Sequence, residues 1–142
     1  MPGFASSSGM ELMAADPIRG WHAYLAAPTR EALDTLLSDH VVFQSPAVHT
    51  PQEGKAVTMK YLTAATEVLG GPAFRYVNQW RGERSAVLEF ECALEGGIQV
   101  NGVDIVEWDE SGRITRFKVM IRPLKALNAV MAAMGAALAR LG

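Results

Sequence analysis

Four consecutive segments in the second half of the chain alternate apolar and polar residues. They span residues 74–81, 85–94, 98–108 and 114–121, and turn residues separate them. A period of two places successive side chains on opposite faces of a strand, so the pattern is typical of a sheet with one buried face. The last connection begins with aspartate and ends with glycine, as tight turns between antiparallel strands do. The sequence therefore predicts an antiparallel meander.

Helical segments precede this meander. Asp16 followed by Pro17 is typical of a helix start, and Thr29 is placed to cap a second, shorter helix. A third helix is predicted over 57–69, where apolar residues recur at helical spacing before paired glycines. Between the second and third helices, the β-branched and aromatic run 41–45 predicts one more strand, which leads into an irregular loop.

A last helix follows Pro123, where leucines and methionines step by three and four residues as far as Leu141. Lys125, Asn128 and Arg140 interrupt this stretch, which falls short of the roughly 20 apolar residues that span a bilayer. We therefore expect a soluble helix, no membrane partner and a cytoplasmic protein.

The order of elements predicts an α+β fold in a single domain. Helices ahead of a strand meander cover one face of a strongly curved, mainly antiparallel sheet, with the C-terminal helix as an extra element. A chain of 142 residues is one domain in length, here over 10–142. Residues 1–9 are small and polar, lack the basic and apolar regions of a secretory signal, and are expected to form a flexible leader.

Composition and charge exclude several classes of function. The formal net charge is −2 with dispersed signs, so nucleic acid is not an expected partner. The single cysteine, Cys92, cannot close an internal disulfide, and the three histidines have no metal-ligand spacing. We expect neither a metal nor another cofactor.

Asp104 is the one charged residue on an otherwise apolar strand face. Its neighbours at alternate positions include Val100, Val106 and Trp108. A carboxyl group placed there loses water, which raises its pKa and favours the neutral acid, and such a group can donate a hydrogen bond or carry a proton. The equally weighted alternative is a bulge at 101–102 that turns Asp104 outward.

The opposite sheet face carries Glu89 and Glu91 on one strand and Arg116 and Lys118 on another. We name this surface the charged outer face. It is expected to be solvated or to face a second subunit, and a specific anion site is the alternative.

The element order resembles the nuclear transport factor 2-like superfamily, and within it the SnoaL-like, or polyketide cyclase-like, branch. The stretches VVFQSPAV at 41–48 and VDIVEWDESGRITRFKVMIRP at 103–123 carry the resemblance, which covers about residues 16–123. It implies a conical half-barrel with a pocket inside and homodimerisation through the charged outer face.

Site residues transfer from this superfamily only where they match. In the ketosteroid isomerase branch, an aspartate at the position of Asp104 is a neutral hydrogen-bond donor to the developing oxyanion. That branch has a general-base aspartate where this chain has Ser45 and a tyrosine donor where it has Trp21, so the resemblance does not imply proton abstraction from a steroid. The limonene epoxide hydrolase branch has an aspartate where this chain has Val119, so that mechanism is not implied either.

Tyr24, Ser45 and His49 are the candidates for a second catalytic group beside Asp104. His49 is an acid–base candidate because imidazole titrates near neutrality, and an ordinary exposed loop histidine is the alternative. His22 shares the apolar stripe of the first helix and is expected to lie in the core. Residues expected to bind a ligand, with a filled core as the alternative for the aromatic ones, are Trp21, Tyr24, Phe43, Ser45, Phe90, Trp108, Phe117 and Val119.

Together these features predict a homodimeric domain with an apolar pocket for a small apolar or carbonyl-bearing molecule. Any chemistry is expected to be isomerase- or cyclase-type, assisted by Asp104 and without metal. The alternative is a non-catalytic module that binds a ligand or another protein.

Overall fold

The structure, a computed structural model, describes residues 16–142, and the predicted leader lies outside these residues. The helices are α1 (Pro17–Ala26), α2 (Arg30–Leu36), α3 (Lys55–Leu69) and α4 (Leu124–Leu141). The strands are β1 (Leu37–Gln44), β2 (Gln52–Glu53), β3 (Arg75–Arg81), β4 (Ser85–Leu94), β5 (Ile98–Trp108) and β6 (Ile114–Arg122). The predicted α+β fold, with helices on one face of a curved sheet, is confirmed.

The strands form one six-stranded sheet in the order β2-β1-β6-β5-β4-β3. Neighbours are antiparallel except β1 and β6, which are parallel. The predicted meander is confirmed, and the bounds of β4 and β5 are those that the alternating pattern gave. Register shifts after Tyr76 in β3 and after Glu107 in β5 mark irregularities of the kind that bend strands.

Two details of the first half differ from the sequence prediction. β1 begins at Leu37, because the residue that caps α2 already has extended backbone angles, φ −97° and ψ 138°. The loop predicted to be irregular contains β2, which pairs with Val42 and Phe43 of β1. A strand of two residues is too short to show a period of two, so the sequence pattern cannot reveal it.

Side chains at the start of the first two helices cap them as predicted. The Asp16 carboxylate accepts a hydrogen bond from the Ile18 backbone N–H at 3.1 Å, and the Thr29 hydroxyl accepts one from the Ala32 N–H at 3.1 Å. Asp16 also accepts a hydrogen bond from the Arg81 guanidinium at 3.0 Å. This contact joins the first turn of α1 to the end of β3.

The core lies between the concave sheet face and the helices. Leu88 and Phe90 of β4 and Phe117 of β6 are almost fully buried against residues such as Leu62 of α3. His22 is exposed, so its prediction as a core residue is wrong. The buried stripe of α1 runs through Ile18, Trp21 and Tyr24 instead, which leaves position 22 beside it.

The C-terminal helix α4 packs on α3, β5 and β6. Its buried side consists of Ala126, Val130, Met134 and Ala137. By length and composition α4 is the one helix in the described residues that is apolar enough to cross a membrane, which is weak evidence because core helices of soluble proteins pass the same test. Of this helix 22% is buried, so packing against the sheet and α3 accounts for part of its apolar character.

The absence of a side chain at Gly102 is required by its neighbours. A Cβ atom at this position would lie 2.5 Å from Cζ of Phe90 and 2.6 Å from the backbone oxygen of Met120. We predict that Gly102→Ala destabilises the domain by about 1–3 kcal/mol, because the Phe90 ring and the β6 backbone must move to admit a methyl group. Chemical denaturation measures this difference.

The control is Gly135→Ala in α4, where an added Cβ meets nothing within 4 Å. Alanine should stabilise the helix there by about 0.5–1 kcal/mol. Equal unfolding free energies for wild type and the Gly102 variant would contradict the close packing of Phe90 on β5.

Candidate functional site

Asp104 lies in the middle of β5 with its side chain on the concave face. The pairing of β5 with β4 is continuous from Ser85–Glu107 to Leu94–Ile98, so no bulge turns Asp104 outward. The residue is 6% exposed, and among the described residues it is the only charged one that is buried.

Tyr76 and Trp21 form a hydrogen-bond chain that ends on Asp104. The Tyr76 hydroxyl donates to Oδ2 of Asp104 at 2.5 Å, and the indole Nε1–H of Trp21 donates to the Tyr76 hydroxyl oxygen at 2.8 Å. The three residues come from β3, α1 and β5. The fold therefore assembles the chain from segments that are far apart in sequence.

Burial dominates the electrostatics of this group. It raises the pKa of Asp104 from 3.8 to about 7, although the hydrogen bond from Tyr76 acts in the opposite direction. Burial, and then the nearby Asp104 charge, raise the pKa of Tyr76 above its ordinary value. Asp104 consequently exchanges its proton near neutral pH, whereas Tyr76 stays protonated.

A cavity of about 60 Å³, counted as space open to the centre of a water molecule, lies between the sheet and the helices. One water needs on the order of 10–15 Å³ in this measure, so the cavity is larger than a hydration site. Asp104 is the one charged residue among the described residues that line it, and most of the others are apolar. Val130, Met131 and Met134 of α4 contribute one wall.

The cavity brings together Asp104 and five of the residues that the sequence suggested for ligand binding. These five are Trp21, Phe43, Phe90, Phe117 and Val119. The Trp21 and Phe117 rings are in contact, with centroids 4.9 Å apart. The other lining residues include Leu62 and Thr66 of α3.

Four further residues suggested by the sequence do not line this cavity. Tyr24 is buried behind Trp21 and shares a hydrogen bond with the Thr66 hydroxyl at 3.2 Å. The Ser45 hydroxyl accepts a hydrogen bond from the Ala47 N–H, which fixes it in its own turn. Trp108 is the last residue of β5, and its ring centroid lies 5.7 Å from the Arg81 guanidinium. His49 is exposed on the loop before β2 and is not among the lining residues.

Sequence reasoning missed Tyr76. A signal existed, because Tyr76 shares its phase with Phe74, which is partly buried against the core, and a buried tyrosine hydroxyl needs a partner. The register shift directly after Tyr76 interrupts the alternation of β3 and hides this signal. The described residues contain no cluster of three or more His, Cys, Asp or Glu that could hold a metal ion.

Comparison with known proteins identifies a family and several similar structures. The SnoaL-like domain model matches residues 18–117. A crystal structure of a steroid delta-isomerase from Pseudomonas aeruginosa is similar with a TM-score of 0.81 and 34% identity, over 88% of this chain and 90% of that chain. A search of curated protein sequences found no significant match.

Two further solved structures share the architecture. A bacterial protein with a cystatin-like fold from Silicibacter pomeroyi has a TM-score of 0.77 and 27% identity, over 86% of this chain and 84% of that chain. An NTF2-like protein of unknown function from Mesorhizobium loti has a TM-score of 0.66 and 15% identity, over 80% of this chain and 93% of that chain, which shows the fold alone. The chain belongs to the SnoaL-like domain family of the NTF2-like superfamily.

Proposed function

We propose that this domain binds a small, largely apolar molecule with a carbonyl group, and that Asp104 moves a proton on that molecule in an isomerase- or cyclase-type reaction. One observation carries the proposal: a single ionisable carboxyl group lines a cavity whose other walls are almost entirely apolar. The similarity to a steroid delta-isomerase supports the reaction class.

The chemistry of the walls favours an apolar ligand with one polar group. A charged ligand would lose its hydration in this cavity, and the only charge that it could meet in the described lining is that of Asp104. Thr66 offers little to a ligand, because its hydroxyl donates to the Leu62 carbonyl oxygen at 2.8 Å and shares a second hydrogen bond with Tyr24. A carbonyl oxygen or an acidic C–H close to Asp104 fits both constraints.

Asp104 is suited to both halves of a proton shift. Since its pKa is about 7, both its carboxylate and its carboxylic acid forms are populated near neutral pH. The carboxylate can take a proton from one ligand atom, and the resulting acid can return it to another. The proton count then closes within the active site, and the reaction needs neither a redox partner nor a second ionisable side chain.

The outer face of the sheet supports a homodimer as part of this proposal. Trp80 and Met120 are 55% and 50% exposed there. Val87, Val103 and Ile105 lie between them in the strand register. Charges of both signs on the charged outer face surround this apolar patch, so two copies related by a two-fold axis can match apolar to apolar and Glu to Lys or Arg.

The first test of function uses cyclohex-3-enone, a small β,γ-unsaturated ketone, and follows its conversion to the conjugated enone by ultraviolet absorbance. We predict that Asp104→Asn lowers kcat/KM by about 10²–10⁴-fold, because the amide cannot exchange a proton. NMR titration with cyclohex-2-enone reports on binding separately. Asp39→Asn, an exposed carboxylate changed in the same way, is the control and should keep the wild-type rate.

Turnover by the Asp104 variant at the wild-type rate would remove Asp104 from the chemistry. A wild-type protein that neither converts cyclohex-3-enone nor binds cyclohex-2-enone would contradict the carbonyl ligand. Binding without conversion would favour the non-catalytic alternative.

The second test uses the pH dependence of stability. The folded-state pKa of Asp104 lies above its unfolded value, so the stabilisation by the neutral acid is complete below about pH 4 and is lost as pH rises through 7. Between pH 5 and pH 8 we predict that wild type loses about 2.5 kcal/mol relative to Asp104→Asn. Urea unfolding of both proteins across this range gives the difference, in which the other titrating groups cancel. A constant difference would show that Asp104 does not titrate near neutrality.

The third test concerns the dimer. We predict that Trp80→Glu combined with Met120→Glu reduces the mass measured by light scattering at micromolar concentration from two chains to one, because charge is buried in the apolar patch. Leu124→Glu, at an apolar position that is 71% exposed at the start of α4, is the control and should leave the mass unchanged. A monomeric wild type would contradict the proposed dimer.

A further inference from the structure

We propose that Trp21 and Tyr76 form a one-way hydrogen-bond chain that holds Oδ2 of Asp104 as an acceptor and confines the exchangeable proton to Oδ1. Tyr76 and Trp21 are then positioning residues for the acid. This inference deepens the proposed function, since it names the oxygen atom through which Asp104 acts.

The direction of the chain follows from the donors available. An indole nitrogen can only donate, so the Tyr76 hydroxyl oxygen must accept from Nε1 of Trp21, 2.8 Å away. The single hydroxyl hydrogen of Tyr76 is then left for its other partner, Oδ2 of Asp104. Trp21 is 4% exposed, so water does not compete for its N–H.

This direction constrains where Asp104 can carry a proton. A proton on the side of Oδ2 that faces Tyr76 would place two hydrogens between that oxygen and the Tyr76 hydroxyl, and a proton on its other side would make Oδ2 a hydroxyl oxygen, which accepts more weakly than a carbonyl oxygen. Rotation of the hydroxyl would not relieve the clash, because its hydrogen would then point at the N–H of Trp21. Tyr76 does not give up its hydrogen either, since burial and the Asp104 charge raise its pKa. The neutral acid therefore carries its hydrogen on Oδ1.

The proposal makes Oδ1 the oxygen that meets a ligand. Among the described residues no side chain or backbone group donates to it, and Asp104 lines the cavity. In residues 16–142 the only side-chain polar atom that is both fully enclosed and without a partner is Oγ1 of Thr58. Oδ1 of Asp104 has no partner there either, so it is not fully enclosed and retains some accessible surface. An oxygen that is free in both protonation states can receive a proton from a ligand and return it without rotation of the carboxyl group.

The described residues around Asp104 include few other groups that could change its pKa or the position of its proton. The cavity walls contributed by α3, α4, β1, β4 and β6 present no titratable side chain, so within residues 16–142 Tyr76 is the one other titratable residue in the lining. His22 packs edge-on against the Tyr76 ring from the exposed side of α1, with centroids 5.4 Å apart. Arg75 beside Tyr76 is exposed and paired with Glu91 at 2.8 Å.

The test measures Asp104 directly in the intact protein, without substrate. Tyr76→Phe keeps the ring and removes the donor to Oδ2. We expect the pKa of Asp104, followed by carboxyl ¹³C NMR and assigned with the Asp104→Asn variant, to rise by about 1–2 units, because a hydrogen bond to the charged form is lost. Trp21→Phe should raise it by less, since Tyr76 keeps its hydroxyl but is no longer polarised by the indole.

Infrared spectroscopy of protein labelled with ¹³C at aspartate reports which oxygen carries the proton. In the neutral acid at pH 5, the proposal makes Oδ2 the carbonyl oxygen, which accepts from Tyr76 and so has a lowered stretching frequency. Tyr76→Phe should shift this band to higher frequency. Tyr24→Phe is the matched control, because it removes a hydroxyl that bonds Thr66 rather than Asp104, and it should move neither the band nor the pKa.

An unchanged carbonyl band in Tyr76→Phe, or an unchanged or lowered pKa of Asp104, would overturn the one-way chain. Should Tyr76→Phe fail to fold, Trp21→Phe decides on the same two measurements, because loss of the indole donor frees the Tyr76 hydroxyl to turn away. Failure of the cyclohex-3-enone assay leaves these readouts untouched, so the two proposals fail independently.

Discussion

The candidate site depends on a carboxyl group kept in an apolar cavity with a single donor among residues 16–142. A fully hydrated carboxylate has several hydrogen-bond partners, and in the described part of the chain Asp104 has one, the Tyr76 hydroxyl. That bond offsets part of the desolvation cost of the charged form, and the rest remains as a raised pKa. Retaining such a group lowers stability at neutral pH, which is a pattern typical of functional sites rather than of cores selected for packing.

The contacts around α1 show how the fold holds this arrangement. Asp16 caps α1 and at the same time accepts a hydrogen bond from Arg81 at the end of β3. Trp21 lies five residues after Asp16, Tyr76 lies five residues before Arg81, and these two side chains form a hydrogen bond. The Asp16–Arg81 pair is partly exposed and contributes little energy by itself. Its value is geometric, because it fixes the helix that carries the donor relative to the strand that carries the hydroxyl.

The sequence predicts those parts of the fold whose signal is local. β4 and β5 show uninterrupted alternation, and Asp16 and Thr29 show helix caps, so these elements were found with their bounds or starts. Asp104 was found because it interrupts an apolar face. His22 was misplaced because several helical stripes fit a ten-residue helix, and the Trp21–Tyr24 stack decides between them.

The rest of the site is not local. Tyr76 reaches Asp104 across 28 positions and Trp21 reaches Tyr76 across 55, and no pattern within either segment reports such a contact. The bulge after Tyr76 removes even the alternation that would have assigned its face. Ser45 and His49 were suggested by their places in sequence, and the turn that holds Ser45 depends on a backbone contact within the loop.

The C-terminal helix completes the electrostatic argument. Its apolar spacing predicts one buried face but does not say what that face covers, and in the structure Val130, Met131 and Met134 form one wall of the cavity. Without these side chains more water would reach Asp104, the charged form would regain part of its hydration, and the pKa would fall toward its ordinary value. The flexible methionine side chains can also adapt to ligands of different shape while keeping water out. α4 is therefore part of what sets the proton affinity of Asp104, although none of its residues forms a hydrogen bond with the carboxyl group.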